Sequence, residues 1–224
     1  MSHDHHVRIL EGTKVVDIDN GKAVALLAGV RPIAVDVGTG DGRWAYENAR
    51  ADGGSLYIGL DPDAAAMAEY AYRAARKPSR GGVENVMFVI ASLEQLPVEL
   101  AGSAGRIRVN YPWAGLLRGI LRPQQEALAA LKGLMVRDAS LELVLTYDAE
   151  HDSAALEGAS LPSLSEAYIE SVLTPAYRAA GPTFDEVRHL SREEALAIPS
   201  TWGRRLLHGR ARDVFLIRAA LDAS

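Results

Sequence analysis

Residues Ala34–Gly42 read AVDVGTGDG. A short apolar run ends in glycines at positions 38, 40 and 42, and Arg43–Arg50 then reads as a helix. Glycine has no Cβ, so such a loop can turn tightly and let its backbone approach a ligand. A strand feeding a glycine turn and then a helix is a building unit of α/β folds with a parallel sheet. No other stretch restricts the possible architectures as much.

The rest of the chain extends the unit. Strand-like segments recur at Arg31–Val37, Ser55–Leu60, Asn85–Ile90, Ile107–Tyr111, Ser140–Tyr147, Phe184–Leu190 and Asp213–Leu221. Helical patterns lie between them at Ala64–Lys77, Gln124–Val136 and Leu164–Ala180, the last broken or bent at Pro175. The expected fold is α/β: a doubly wound, mostly parallel sheet of seven strands with helices on both faces. Residues 1–20 add a tail and a β-hairpin turning near Gly12, and the whole chain, 1–224, reads as one domain. The last two strands lack a crossover helix, so an antiparallel pair joined by a long insert over residues 191–212 is expected. Within it PSTWGRRLLHGRAR has few, interrupted apolar residues and does not read as a core helix.

Composition narrows the setting. The chain has no cysteine, which excludes disulfides, a thiol nucleophile and zinc–cysteine sites. No apolar run approaches the ~20 residues of a membrane span, and the N-terminus MSHDHH has no apolar signal core. A cytoplasmic protein without a metal or a membrane partner is expected. Net charge is −5, yet the charge is unevenly spread. The acid-free windows Ala71–Val83, Ala104–Gln125 and Ala195–Arg212 hold twelve of the 24 basic residues. Such clustering can build a basic face on an acidic body, as a nucleic-acid partner requires.

The ligand can be read further. Asp61 follows Gly42 by 19 residues at the end of the next strand, where a carboxylate can accept both ribose hydroxyls of an adenosine. The loop is GxGxG and not the dinucleotide GxGxxG, and no P-loop lysine follows. With Asp36 on the preceding strand, it resembles the class I S-adenosylmethionine-dependent methyltransferases. That resemblance implies that Asp36 faces the cationic amino-acid end of the cosubstrate, with Gly38 beneath it and Gly40 in the turn. ASLEQLP, Ala91–Pro97, would wall the adenine, with Leu93 and Glu94 reading its edge.

Two tryptophans remain. Trp113 in NYPW follows the fourth strand, at the sheet edge where doubly wound folds bind ligands. A core anchor is the plain alternative. A methyltransferase acting on a base in a paired nucleic acid must extrude it, and aromatic faces replace the lost stacking at about 1–3 kcal/mol per base. Trp202, in the insert, can supply a second face, and Arg204, Arg205, Arg210 and Arg212 can hold the surrounding phosphates.

Beyond the general class, ILEGTKVVDID, DVGTGDGR, YIGLDP, KPSRGGVENVMFVIA, PWAGLLRGIL, LPSLSEAY and STWGRRL together resemble the aminoglycoside-resistance 16S rRNA methyltransferases of the NpmA and Kam group. These act on N1 of adenine 1408 in the decoding site of the small ribosomal subunit. The resemblance implies that Asp36, Gly38, Asp61, Leu93 and Glu94 bind S-adenosylmethionine. It places Ser200 near cosubstrate and target, with Trp113 and Trp202 sandwiching the adenine. Arg205, Arg210 and Arg212 would contact nearby rRNA, while Arg73, Arg76, Lys77 and Arg80 dock on 16S rRNA of the 30S subunit further away. A monomer suits such docking. The chain departs from the group at Gly115, where the relatives carry a hydroxyl residue, and at Asn110, where an apolar residue is expected. NYPW also half-resembles the (N/D)PP(Y/F/W) motif of amino-group methyltransferases. Methylation of another RNA, such as guanine N7 of tRNA, a small-molecule methyltransferase, and S-adenosylmethionine binding with RNA docking but no catalysis are the alternatives.

Overall fold

A computed structural model describes residues 6–27, 32–152 and 161–221. The start of the tail and Arg31 lie outside them. The sheet grows outward from β3 (Ile33–Val37), whose five residues are all buried. Val35 and Val37 enter one core, while Ala34 enters the core on the opposite face. Burial on both faces is what a strand inside a parallel sheet requires. Parallel neighbours flank it: β4 (Leu56–Asp61) and then β5 (Val86–Ile90) on one side, β6 (Ala104–Asn110) and then β7 (Met135–Leu145) on the other.

Among the described residues the sheet has nine strands, the seven expected and the two of the hairpin. β1 (His6–Glu11) and β2 (Lys14–Asp19) form the expected hairpin, with Gly12 at φ 63° in its turn. Here β1 also pairs antiparallel with β5, through Ile9 and Val89, so the hairpin extends the sheet rather than standing apart. At the far edge β8 (Pro182–His189) and β9 (Phe215–Leu221) are antiparallel, as expected. The full order is β2-β1-β5-β4-β3-β6-β7-β9-β8.

Helices cover both faces. α2 (Arg43–Ala51) and α3 (Ala64–Ala74) lie on one; Met67, Tyr70, Ala71 and Ala74 make the buried stripe of α3, at helical spacing. Asp63 caps α3 by accepting from the amides of Ala65 and Ala66. That helix ends before the expected Lys77, because the residue preceding Pro78 is driven to extended geometry (ψ 144°). On the other face lie α1 (Asn20–Leu27), α4 (Ala114–Leu121) and α5 (Gln125–Leu134). α1 and α4 were not foreseen from the sequence. One-turn α6 spans Ala149–Asp152.

The helix expected to bend at Pro175 instead widens. α7 (Glu166–Tyr168) passes through a π turn, Ile169–Leu173, into α8 (Thr174–Ala180). Proline has no amide hydrogen and crowds the carbonyl one turn back, and the wider turn just before it relieves that crowding.

The insert is more ordered than its composition suggested. It forms α9 (Arg192–Ala197), closed by a Ser191–Glu194 capping box, and α10 (Thr201–Leu207). Gly203, Leu206 and Leu207 are buried in a third core with Tyr111, Val144, Leu190 and Val214. The interrupted apolar pattern reflects a short helix with one buried side.

Candidate active site

The carboxyl ends of β3, β4, β5 and β6 open into a cavity of about 440 Å³, inside the usual range for small-molecule sites. Asp36, Gly38, Gly40, Asp61, Leu93 and Glu94 line its floor and walls, with Trp113, Ser200 and Trp202. All the residues expected at cosubstrate and base positions are therefore brought together. Thr39, Trp44, Tyr111 and Leu116 also line it and were not singled out from the sequence. Their only signal was closeness to the glycine turn and to NYPW.

The glycine turn is tailored to this shape. Gly38, Gly40 and Gly42 have φ values of 70°, 60° and 80°, a region other residues enter at a cost. A Cβ on Gly38 would sit 2.5 Å from a methyl of Leu116, and one on Gly42 2.4 Å from the Phe88 ring. The Gly40 amide donates to Oδ2 of Asp61 at 2.9 Å, and the Asp63 amide to Oδ1 at 2.9 Å. Each oxygen keeps a further lone pair that can face a ribose hydroxyl.

Asp36 is buried at 1% exposure. Thr39 Oγ1 donates to its Oδ2 at 2.6 Å and Asn110 Nδ2 to its Oδ1 at 3.1 Å. Burial pushes its pKa up to about 7, and those hydrogen bonds with the charge of Arg108 offset only part of that shift. A buried carboxylate held this way favours a cation in the cavity beside it.

Trp113 caps α4 between two residues with positive φ, Tyr111 (49°) and Ala114 (48°). Such values cost roughly 1–2 kcal/mol each outside glycine, so the neighbouring structure must hold them. Tyr111 does much of the holding. Its amide donates to Val144 O at 2.9 Å and its hydroxyl to Ala195 O at 2.7 Å, and its ring lies against Gly203. Ser200 accepts from the Gly203 amide at 3.0 Å and starts α10, which carries Trp202. The two indoles touch, with centroids 5.1 Å apart and planes at 70°. Among the described residues Trp202 Nε1 is buried without a hydrogen-bond partner.

The basic residues divide. Arg204, Arg205 and Arg210 are exposed on the insert, and Arg76, Lys77 and Arg80 are exposed after α3. Arg73 is exposed but engaged with Glu69 and the Tyr70 ring. Arg212 departs from the expectation. Its guanidinium forms a two-pronged bond to Asp152 (2.6 and 2.8 Å), and both side chains are under 10% exposed. It anchors the end of the insert and is turned away from solvent.

The comparisons with known proteins bear on this arrangement. The family model for NpmA, 16S rRNA (adenine(1408)-N(1))-methyltransferase, matches residues 8–221. The chain belongs to this family. A 16S rRNA (adenine(1408)-N(1))-methyltransferase from Escherichia coli is 35% identical over 213 residues, 93% of this chain and 96% of that protein. A tryptophan-to-alanine mutant of such an enzyme from Catenulisporales acidiphilia, crystallised with S-adenosylmethionine, superposes with a TM-score of 0.87. It is 34% identical, with 97% of each chain covered. The aminoglycoside resistance methyltransferase NpmB1 matches at TM-score 0.79 and 32% identity, covering 96% of this chain and 99% of that one. The family's fold is the S-adenosylmethionine-dependent methyltransferase fold described above. Among the described residues no helix is long and apolar enough to cross a membrane, and no cluster of side chains suits a metal ion.

Proposed function

We propose that this protein transfers a methyl group from S-adenosylmethionine to N1 of adenine 1408 in 16S rRNA of the 30S subunit, giving aminoglycoside resistance. The observation that carries the reading is the pair of indoles, Trp113 and Trp202, converging on the cavity that holds the glycine turn and Asp36.

The residues fit the cosubstrate. Asp36 would take the ammonium end, Gly38 and Gly40 leave room for the chain of the amino acid, and Asp61 would hold the ribose. Leu93 and Glu94 stand where the adenine would lie. The sulfonium supplies an electrophilic methyl, which leaves with the C–S bond electrons remaining on sulfur as the C–N bond forms.

Adenine N1 presents an in-plane lone pair and no proton, so no general base is required. Glu150, Asp148 and His208 are therefore given no proton-carrying role. The work of the chain is positioning, which can supply several kcal/mol of a barrier. Trp113 and Trp202 would hold the extruded base and favour the cationic product through their faces, by about 0.5–2 kcal/mol. Arg204, Arg205 and Arg210 would hold phosphates around it, and Arg76, Lys77 and Arg80 would dock further off, with Arg73 adding to the same field. A cytoplasmic monomer is the form that suits this substrate.

Primer extension across the decoding-site helix tests the proposal. Purified 30S subunits incubated with the protein and S-adenosylmethionine should give a cosubstrate-dependent stop beside that adenine, because N1 methylation blocks Watson–Crick pairing. A full-length product, with cosubstrate binding intact, would move the target to another RNA or another atom.

A further inference from the structure

Behind the cavity, strand register lines up a row of alternating charge. Asp36 on β3 is paired with Arg108 on β6, Arg108 with Glu142 on β7, and Glu142 with Arg218 on β9. The side chains follow the register. Arg108 Nη1 meets Glu142 Oε1 at 2.6 Å, and Arg218 Nε meets Glu142 Oε2 at 2.9 Å. Arg108 Nε donates to Asn110 Oδ1 at 2.6 Å, and Asn110 Nδ2 donates to Asp36 Oδ1 at 3.1 Å. The Arg108 guanidinium also lies over the ring of Trp44, which lines the cavity.

This geometry removes a freedom asparagine normally has. Either end of a side-chain amide can face a neighbour, and the two are told apart only by their partners. Arginine can only donate, so the amide oxygen must face Arg108 and the NH₂ must face Asp36. Asn110 is thereby committed to the carboxylate. One of the two lone pairs of its oxygen is used by Arg108 Nε.

We propose that Arg108 and Asn110 are positioning residues for the cosubstrate. Anchored by Glu142, Arg108 turns the Asn110 amide onto Asp36, and the two keep that carboxylate oriented and ionised for the ammonium group. Two of the four lone pairs of Asp36 are used, by Asn110 and Thr39, and two remain for the ligand. The inference rests on Asp36 as the ammonium site.

Other groups act on Asp36. On the glycine turn, Thr39 favours its ionised form and Asp41 opposes it. From β6, Arg108 and Asn110 favour it. Asp61, at the end of β4, and Glu94, after β5, share the cavity. Removing the β6 groups leaves burial opposed by Thr39 alone, so ionisation of Asp36 moves to higher pH.

The test is calorimetric titration of the full chain with S-adenosylmethionine and with S-adenosylhomocysteine from pH 6 to 9. Arg108→Gln and Asn110→Leu are compared with wild type and with Arg106→Gln. Arg106 lies on the same strand face but reaches Ser55 and Tyr57 instead. Wild type and Arg106→Gln should reach full affinity just above pH 7. Arg108→Gln and Asn110→Leu should bind about tenfold or more weakly than wild type at pH 7, and the ratio to wild type at the same pH should narrow to within about threefold by pH 9, because deprotonation of the ligand's own ammonium weakens every variant alike. Arg108→Lys, which restores charge but not the Nε bond, should fall between. An equal loss at every pH would make both residues merely structural and overturn the proposal, as would unchanged affinity. Asp36→Asn separates the two levels: if it binds normally, the ammonium site is wrong. If it fails to bind while the β6 variants run parallel to wild type, the relay alone is wrong.

Discussion

Trp113 and Trp202 meet edge to face, 5.1 Å between centroids and 70° between planes. An adenine stacked on both needs parallel rings about 7 Å apart, two van der Waals separations of about 3.5 Å. The pair is therefore closed on itself and has to part before a base can enter.

Trp113→Ala and Trp202→Ala should each remove most methylation, by about fivefold to 150-fold if each face contributes about 1–3 kcal/mol to the bound base. Affinity for S-adenosylmethionine should stay within a few-fold. Methyl transfer to 30S subunits and calorimetric titration, run on the same preparations, check both halves. Loss of cosubstrate binding would recast the ring as a core anchor.

Asp36→Ala should abolish measurable cosubstrate binding without unfolding the protein. In wild type, the folded carboxyl ionises near pH 7 rather than near 3.8. As pH rises from about 3.8 to 7 the unfolded carboxyl ionises while the folded one stays protonated, so folding stability falls through that window, while a bound cation favours the ionised form. Cosubstrate affinity should fall as pH drops below about 7, with proton release on binding, and fall again above about 8 as the ligand's own ammonium group loses its proton. Titrations in buffers of different ionisation enthalpy read that proton directly.

Gly203→Ala should damage the joint between the two tryptophans. Its Cβ would lie 2.4 Å from the Tyr111 ring, which is fully buried and cannot swing aside. Overpacking of this kind costs about 1–3 kcal/mol, a fall in Tm of roughly 2–4 °C per kcal/mol at this size. Methylation should drop further than stability does, because Tyr111 also carries the segment before Trp113. Thermal melts and methyl-transfer rates compared side by side decide it.

Arg212 and its neighbours should separate by phenotype. Arg212→Ala leaves the buried Asp152 carboxylate unpaired, a loss of about 3–5 kcal/mol in folding. Burial pushes the Asp152 carboxyl up, but its bonds to Arg212 and the Asp148 amide win, and the net direction is down. That contribution is present at neutral pH and fades as pH falls through the lowered pKa. Replacing Arg204, Arg205 and Arg210 with alanine should instead spare Tm. It should weaken 30S binding and make its salt dependence shallower, by about one unit of slope for each phosphate no longer held.

What the sequence disclosed follows from how local each signal was. The glycine turn, Asp36 and Asp61 are carried by a strand, a loop and a strand end, and periodicity located all three. The fate of Arg212 depended on Asp152, 60 residues away, and no local pattern marks a cation as buried. Asn110 looked out of place as a lone polar residue. Its partner lies 74 residues upstream and is met only through the register of β3 and β6. The helix α10 was missed because Gly203 counts as a gap in an apolar stripe, whereas it is buried by the approach of the Tyr111 ring. The hairpin was foreseen but not its attachment, which rests on the single register pair Ile9–Val89.

The insert leaves β8 and returns to β9 at neighbouring points, where the Leu190 amide donates to Val214 O at 2.8 Å. A segment whose two ends are already clasped can gain or lose residues at little cost in closure entropy. The architecture thus separates two inheritances. The glycine turn is built into the strands and resists change, while the exposed positions of the insert, Arg204, Arg205 and Arg210, are free to be exchanged or re-charged between its ties at Tyr111, at Leu190–Val214 and at Arg212–Asp152.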